Sequence, residues 1–106
     1  MTEFIQVITT VDDESKAKEI QNILVQKRAA ACAQVFGPIL SCFWWEGKIE
    51  QAIEWVCVAK LKFENYEKAE NLIKENHPYD VPEIVAIPIS SGNIDYLNWI
   101  KSETKF

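Results

Sequence analysis

The sequence contains few of the residues that cross-link or interrupt a chain. It has three cysteines, three glycines and four prolines among 106 residues. Collagen-like and low-complexity disordered chains need far more glycine or proline, so both classes are excluded. The cysteines Cys32, Cys42 and Cys57 are odd in number and lack paired spacing, so the sequence predicts neither a disulfide framework nor a structural zinc site.

Positive charge is also scarce. Eleven lysine and arginine residues stand against 16 acidic residues, which gives a formal net charge of -5. The pair Lys27-Arg28 is the longest basic run. Because basic contacts to phosphate supply most of the affinity for nucleic acid, we expect neither nucleic acid nor an anionic membrane as a partner.

Long apolar runs and an export signal are not evident. No run approaches the roughly 20 apolar residues of a membrane helix, and Met1-Thr2-Glu3 leads directly into a strand pattern without a basic region and apolar core. We therefore expect a cytoplasmic protein with reduced cysteines. A hydrophobic share of 48% supports one folded domain over residues 1–106.

Motifs for catalysis are missing from the sequence. It contains no GxSxG, Walker or HExxH motif, and the first strand ends at Thr9-Thr10-Val11-Asp12 without a glycine-rich loop. His77 is its single histidine. We therefore predict that the chain is not an enzyme and needs no organic cofactor.

Hydrophobic periodicity predicts the order β-α-β-β-α-β followed by one more helix. Asp12 is the predicted N-cap of the first helix, Lys27 and Arg28 lie at its C-terminal end, and Gly37-Pro38 predicts a bend in the second strand. The order is that of a ferredoxin-like α+β fold with helices on one face of an antiparallel sheet. The predicted strands are 4–11, 30–45, 48–62 and 83–89, and the helices are 13–28, 65–76 and a segment after Gly92-Asn93.

The predicted strands indicate association with other copies of the chain. A sheet covered on one face alternates apolar and polar residues, but the fourth strand reads Ile84-Val85-Ala86-Ile87 and the third is apolar on both sides. A hairpin of about 15-residue strands spans about 50 Å, which exceeds a compact domain of this length, so the hairpin must bend sharply or project onto a neighbour. We expect a homo-oligomer that buries the open face and places Trp44 and Trp45 at the interface. Ligand stacking is the alternative for these tryptophans.

Several stretches together carry a family resemblance. In order along the chain they are 27–33, the hairpin tip Trp44-Trp45-Glu46-Gly47-Lys48, the segment His77-Pro78-Tyr79-Asp80-Val81-Pro82-Glu83-Ile84, and 92–100. Their order and spacing resemble the CutA family, the divalent-cation tolerance proteins, from about Phe4 to Ser102. The resemblance implies a ferredoxin-like fold, a homotrimer in which neighbouring subunits extend one another's sheets, and an association with copper and other divalent cations.

The resemblance also suggests candidate metal ligands. Some family members offer a cysteine at the end of the first strand and a second histidine before the HPY stretch, where this chain has Thr9 and Asn76. Glu83 and His77 remain as ligands for weakly bound Cu(II) or another divalent cation. The alternatives are a structural or helix-capping role for the His77 imidazole and a salt bridge from Glu83 to Lys60 or Lys48, within one chain or across subunits.

A second function follows from a similarity in architecture to PII signalling proteins, which bind effectors in clefts between subunits. Lys60 interrupts an apolar strand, and with Tyr79 and Glu83 it is predicted to line such a cleft. The chain would then be a signalling or interaction module that binds a small ligand. The alternative for Lys60 is a solvated edge lysine, and for the three cysteines it is burial as small apolar side chains.

Overall fold

A computed structural model describes residues 3–105 of the chain. Its strands pair antiparallel in the order β2-β3-β1-β4. This arrangement confirms the predicted α+β class, the element order and the extra C-terminal helix. The elements are β1 (Phe4–Val11), α1 (Glu14–Gln26), β2 (Cys32–Trp45), β3 (Lys48–Lys62), a 3-10 turn (Phe63–Asn65), α2 (Tyr66–Asn76), β4 (Ile84–Pro88) and α3 (Ile94–Glu103).

The core lies between α1, α2 and one face of the sheet. Alternate residues of β1 and β3 point toward the helices, so Ile5 and Val7 join Cys57, Ala59 and Leu61 there. Each of the two helices contributes an apolar stripe to this core: Ile20 and Leu24 from α1, and Ala69 and Ile73 from α2. The other face of the sheet, called the open face below, carries the intervening residues Gln6, Ile8, Thr10, Val58 and Lys60.

The first helix begins one residue later than predicted. Asp13 is its N-cap, and its Oδ1 accepts hydrogen bonds from the amides of Ser15 at 2.9 Å and Lys16 at 3.3 Å. The prediction of Asp12 is wrong because the helix starts at Glu14, so Asp13 is the residue that caps its free amides, and Asp12 lies in the bend before the cap. Hydrogen bonds, first from the Ser15 hydroxyl, lower the pKa of Asp13.

The segment after α1 also differs from the prediction. The helix ends at Gln26 and β2 starts at Cys32, because the amides of Ala29 and Ala30 turn back to the Leu24 carbonyl. Arg28, with a φ of 60°, points its side chain to α3. Its Nη1 donates to the Glu103 carbonyl and carboxylate, both at 3.0 Å, so the charge stabilises the C-terminal end of α3.

The β2–β3 hairpin projects from the domain, which is one of the two arrangements predicted for it. The two strands pair from Cys32 opposite Lys60 to Trp45 opposite Lys48, with a register shift between Phe36 and Ile39. The shift lies at Gly37-Pro38, where a Cβ on Gly37 would approach Trp55 Cδ1 to 2.7 Å. The arm gives the chain a long dimension of 44 Å against 25 and 22 Å.

Much apolar surface stays uncovered in the single chain. Trp44 is 72% exposed and Leu40 is 66% exposed on one side of the hairpin. On the open face, Val85 and Ile87 remain exposed beside Ile8 and Gln6. The two-faced strand pattern therefore corresponds to an apolar face that α1 and α2 do not cover.

One buried side chain in the core is not satisfied. Thr9 is 1% exposed, and its hydroxyl has no hydrogen-bond partner among the described residues. We expect Thr9→Val to raise the free energy of unfolding by about 1 kcal/mol, because a buried polar group without a partner carries a desolvation cost. Urea denaturation at one protein concentration measures the change.

Thr104→Val is the matched control, because the buried Thr104 hydroxyl donates to the Ile100 carbonyl at 2.7 Å. This control variant should lose about 1 kcal/mol. A loss of stability in both variants would show that the Thr9 hydroxyl is satisfied in solution.

Candidate functional site

A polar corner forms where the end of β1 meets the segment between α2 and β4. His77 Nε2 lies 2.8 Å from the Thr10 carbonyl oxygen, and the Tyr79 amide donates to His77 Nδ1 at 3.2 Å. Because Nδ1 accepts a hydrogen bond, the ring proton lies on Nε2 and is donated to Thr10. The predicted capping role of the imidazole is wrong, since the ring binds β1, while Asn76 Nδ2 donates to the Leu72 carbonyl of α2.

Tyr79 connects this corner to the base of the hairpin. Its hydroxyl donates to Glu54 Oε2 at 2.7 Å, and its ring meets His77 edge-on at a centroid distance of 4.7 Å. Burial, followed by the hydrogen bond and charge of Glu54 and the charge of Asp12, raises the pKa of Tyr79. The tyrosine therefore keeps its proton and remains a donor at neutral pH.

Glu54 was not singled out from the sequence, yet among the described residues it is the only buried acidic side chain, at 5% exposure. Its signal was available: it stands between Ile53 and Trp55 in an apolar strand, and a buried carboxylate needs a partner. The partner could not be inferred locally, because Tyr79 lies 25 residues further along.

Glu83 lies exposed immediately before β4. Within residues 3–105 of one chain it forms no ion pair, so the predicted salt bridges to Lys60 and Lys48 are not made there. Lys60 donates instead to Gln34 Oε1 at 2.7 Å. Lys48 lies at the hairpin tip opposite Trp45.

The three residues predicted for a cleft do not meet within one chain. Tyr79 binds Glu54, which is six residues from Lys60 along β3, or about 20 Å at ~3.3 Å per residue. Glu83 lies next to Ile84, which pairs with Thr9 near the end of β1. Lys60 pairs with Gln6 near the start of β1, so the two side chains lie far apart. A cleft containing all three therefore needs more than one chain and stays a prediction.

The metal-ligand prediction also stays open. The part of the chain that the structure describes has no group of three or more histidine, cysteine or acidic side chains suited to a metal. A cation on His77 would have to displace either Tyr79 or Thr10 from the ring. Glu83 carries no such cost because it is exposed.

The cysteines occupy three different environments. Cys57 is buried as predicted, and burial raises the pKa of its thiol to about 12. Cys32 is half-buried, with its Sγ 3.4 Å from the Tyr96 hydroxyl. Cys42 is exposed on the hairpin in the single chain, because no helix covers that arm.

The fold and this corner define a ferredoxin-like α+β protein with a projecting two-stranded arm. No helix among the described residues is long and apolar enough to cross a membrane. The chain belongs to the CutA1 divalent ion tolerance protein family, whose model matches residues 5–103. The resemblance noted from the sequence is thereby confirmed.

Three comparisons describe these relatives. The divalent-cation tolerance protein CutA of Thermus thermophilus is 37% identical over 92% of this chain and 95% of its own length. The chloroplastic protein CutA 1 of rice is 35% identical over 95% of this chain, which spans only 57% of the rice protein. The structure of the periplasmic divalent cation tolerance protein CutA from Archaeoglobus fulgidus superposes with a TM-score of 0.93 at 36% identity, covering 96% of this chain and 99% of that one.

The Tyr79–Glu54 bond yields a stability prediction. We expect Tyr79→Phe to lower the free energy of unfolding by about 1–3 kcal/mol, because it leaves the buried Glu54 carboxylate without its donor. Chemical denaturation measures the loss.

Tyr66→Phe is the control, since Tyr66 donates to Glu70 at 2.8 Å on a more exposed helix surface. This variant should lose less than about 1 kcal/mol. Equal losses in both variants would contradict a special role for the buried pair.

Proposed function

We propose that the chain is a cytoplasmic divalent-cation tolerance protein that works as a homotrimer without enzymatic activity. The observation that carries this proposal is the match to the CutA1 divalent ion tolerance family over residues 5–103. Relatives that align along most of their length carry the same description in their names. In this proposal the protein binds Cu(II) or another divalent cation weakly and uses no organic cofactor.

The trimer is supported by the surface that one chain leaves uncovered. The hairpin exposes Trp44, Trp45, Leu40 and Ile49 to water, and monomeric proteins seldom leave apolar patches of such extent. Closed rings of identical subunits bury such surfaces without an open end. The number of subunits, three, follows from the family resemblance.

Weak metal binding is proposed at Glu83 with help from His77. Carboxylate and imidazole groups both bind Cu(II), which ranks highest among the divalent ions of the first transition row. The described part of one chain brings no three such side chains together, so further ligands would come from other subunits. The two hydrogen bonds of the His77 ring lower its availability, and Thr9 and Asn76 add no strong ligand.

The second candidate is a PII-like module that binds a small ligand between subunits. The observation in its favour is the charge of Lys60, whose hydrogen bond goes to the neutral Gln34 amide. Metal tolerance would then be an indirect consequence of signalling.

The trimer makes a prediction for the hairpin. Light scattering of the wild-type protein should give three times the chain mass of 12.2 kDa. Trp44→Asp should reduce that mass, because a charge would be buried in the interface. Val25→Asp, a similar change on the exposed side of α1, should leave it unchanged. A wild-type mass of one chain would refute the proposal.

Calorimetric titration with Cu(II) tests the metal site in reduced protein. Saturable binding should be lost in Glu83→Ala and weakened in His77→Ala, while Glu67→Ala on α2 should bind as the wild type does. Binding that ignores Glu83 would refute the ligand assignment. If the wild type binds no Cu(II), the second candidate is favoured, the PII-like module that binds a small ligand between subunits.

A further inference from the structure

The two hydrogen bonds of the His77 ring are unequal in length. Nε2 lies 2.8 Å from the Thr10 carbonyl oxygen, and Nδ1 accepts from the Tyr79 amide at 3.2 Å. Because a carbonyl oxygen can only accept, Nε2 carries the ring proton and Nδ1 carries the lone pair. The bond at Nδ1 is at the long end of the range for protein hydrogen bonds, so it is the weaker of the two.

The local sequence determines which amide reaches Nδ1. His77 directly follows α2 and has an extended backbone, with φ -94° and ψ 135°, as the residue before a proline prefers. Pro78 has no amide hydrogen, so the first backbone donor after His77 is the Tyr79 amide. The contact at Nδ1 is therefore a short local turn, and it lasts only while Tyr79 stays in place.

A long-range hydrogen bond holds Tyr79 in that place. Its hydroxyl donates to Oε2 of the buried Glu54 on β3 at 2.7 Å, and hydrogen bonds to a carboxylate are among the strong ones in proteins. The rings of Tyr79 and His77 also meet edge-on at a centroid distance of 4.7 Å. Glu54 thus holds Tyr79, and the Tyr79 amide occupies Nδ1.

The orientation of the ring is the one that metal-binding histidines adopt. Such an imidazole almost always donates its other N–H to a carbonyl, a carboxylate or water, which fixes the tautomer. Thr10 supplies that carbonyl at Nε2, so Nδ1 is the nitrogen left for a cation, and the Tyr79 amide competes for it. The described residues bring no three metal-binding side chains together, so no preformed ligand set offsets this competition.

We propose that Tyr79, held by Glu54, is a positioning residue that controls the availability of Nδ1, the nitrogen through which His77 binds a divalent cation. This inference rests on the metal binding proposed above and adds two residues that do not contact the cation. Its consequence is specific, because removing the bond between Tyr79 and Glu54 destabilises the fold and yet strengthens cation binding. Removal of a residue that only supported the fold would weaken that binding.

Diethyl pyrocarbonate tests the control of Nδ1 without metal, because it reacts with an unprotonated imidazole nitrogen and His77 is the single histidine. We expect Tyr79→Phe and Glu54→Leu to react about fivefold faster than the wild type, the factor that corresponds to the loss of one ordinary hydrogen bond. Glu54→Gln keeps an acceptor for the tyrosine hydroxyl and should react nearly as the wild type does. Tyr66→Phe, the same change on α2, should not alter the rate.

Calorimetric titration with Cu(II) tests the effect on the cation. Tyr79→Phe should bind Cu(II) about fivefold more tightly than the wild type. The gain should vanish when His77→Ala is added. Nitrogen hyperfine coupling in the electron paramagnetic resonance spectrum of the bound Cu(II) should be stronger in Tyr79→Phe than in the wild type, because it reports coordination by the ring.

The metal-free rates and the titration separate this proposal from the proposed function. Equal rates for the wild type, Tyr79→Phe and Glu54→Leu, all folded by circular dichroism, would overturn the proposal. Weaker Cu(II) binding by Tyr79→Phe would overturn it as well. If no form of the protein binds Cu(II) but the rates differ as predicted, the proposed metal function fails, while the control of Nδ1 is supported.

Discussion

The whole structure depends on one constraint: the sheet has two apolar faces, and the chain has helices enough for one. Because side chains alternate along a strand, burying Val7 and Ala59 under α1 and α2 turns Ile8 and Val58 to the other side. The ten residues of α3 lie at one end of the sheet, where Tyr96 contacts Cys32 and Lys101 lies 6.0 Å from the Phe4 ring. A single chain therefore leaves one apolar face of its sheet uncovered, and the exposed hairpin adds further uncovered apolar surface.

The same constraint explains where the polar groups of interest lie. A charged side chain on an apolar face must find a partner, and Glu54 finds the Tyr79 hydroxyl at 2.7 Å. Among the described residues, Lys60 finds a neutral amide instead, that of Gln34, at 2.7 Å. His77 binds both Tyr79 and the Thr10 carbonyl of β1. The corner that contains the candidate metal ligands therefore also holds the loop after α2 against the sheet.

Local patterns in the sequence were sufficient for most of the fold. Periodicity located every strand and helix within a few residues, and the Gly37-Pro38 pair indicated the bend in β2. The structure gives the reason for the glycine, since a Cβ there would collide with Trp55. What the sequence could not supply were pairings between distant segments. Arg28 binds α3, 75 residues away, and the His77 ring binds Thr10, 67 residues away. Both lie beside a helix end, where local reasoning assigned them to that helix.

The central claim is that other copies of the chain complete the core, and unfolding at different protein concentrations tests it most directly. If folding and assembly are linked, the urea midpoint must rise with total chain concentration by mass action. We predict a clear rise across a hundredfold range for the wild type, and a smaller rise when Trp44 is replaced by Asp. A wild-type midpoint that stays constant over this range would mean that one chain is stable by itself, and it would contradict the account.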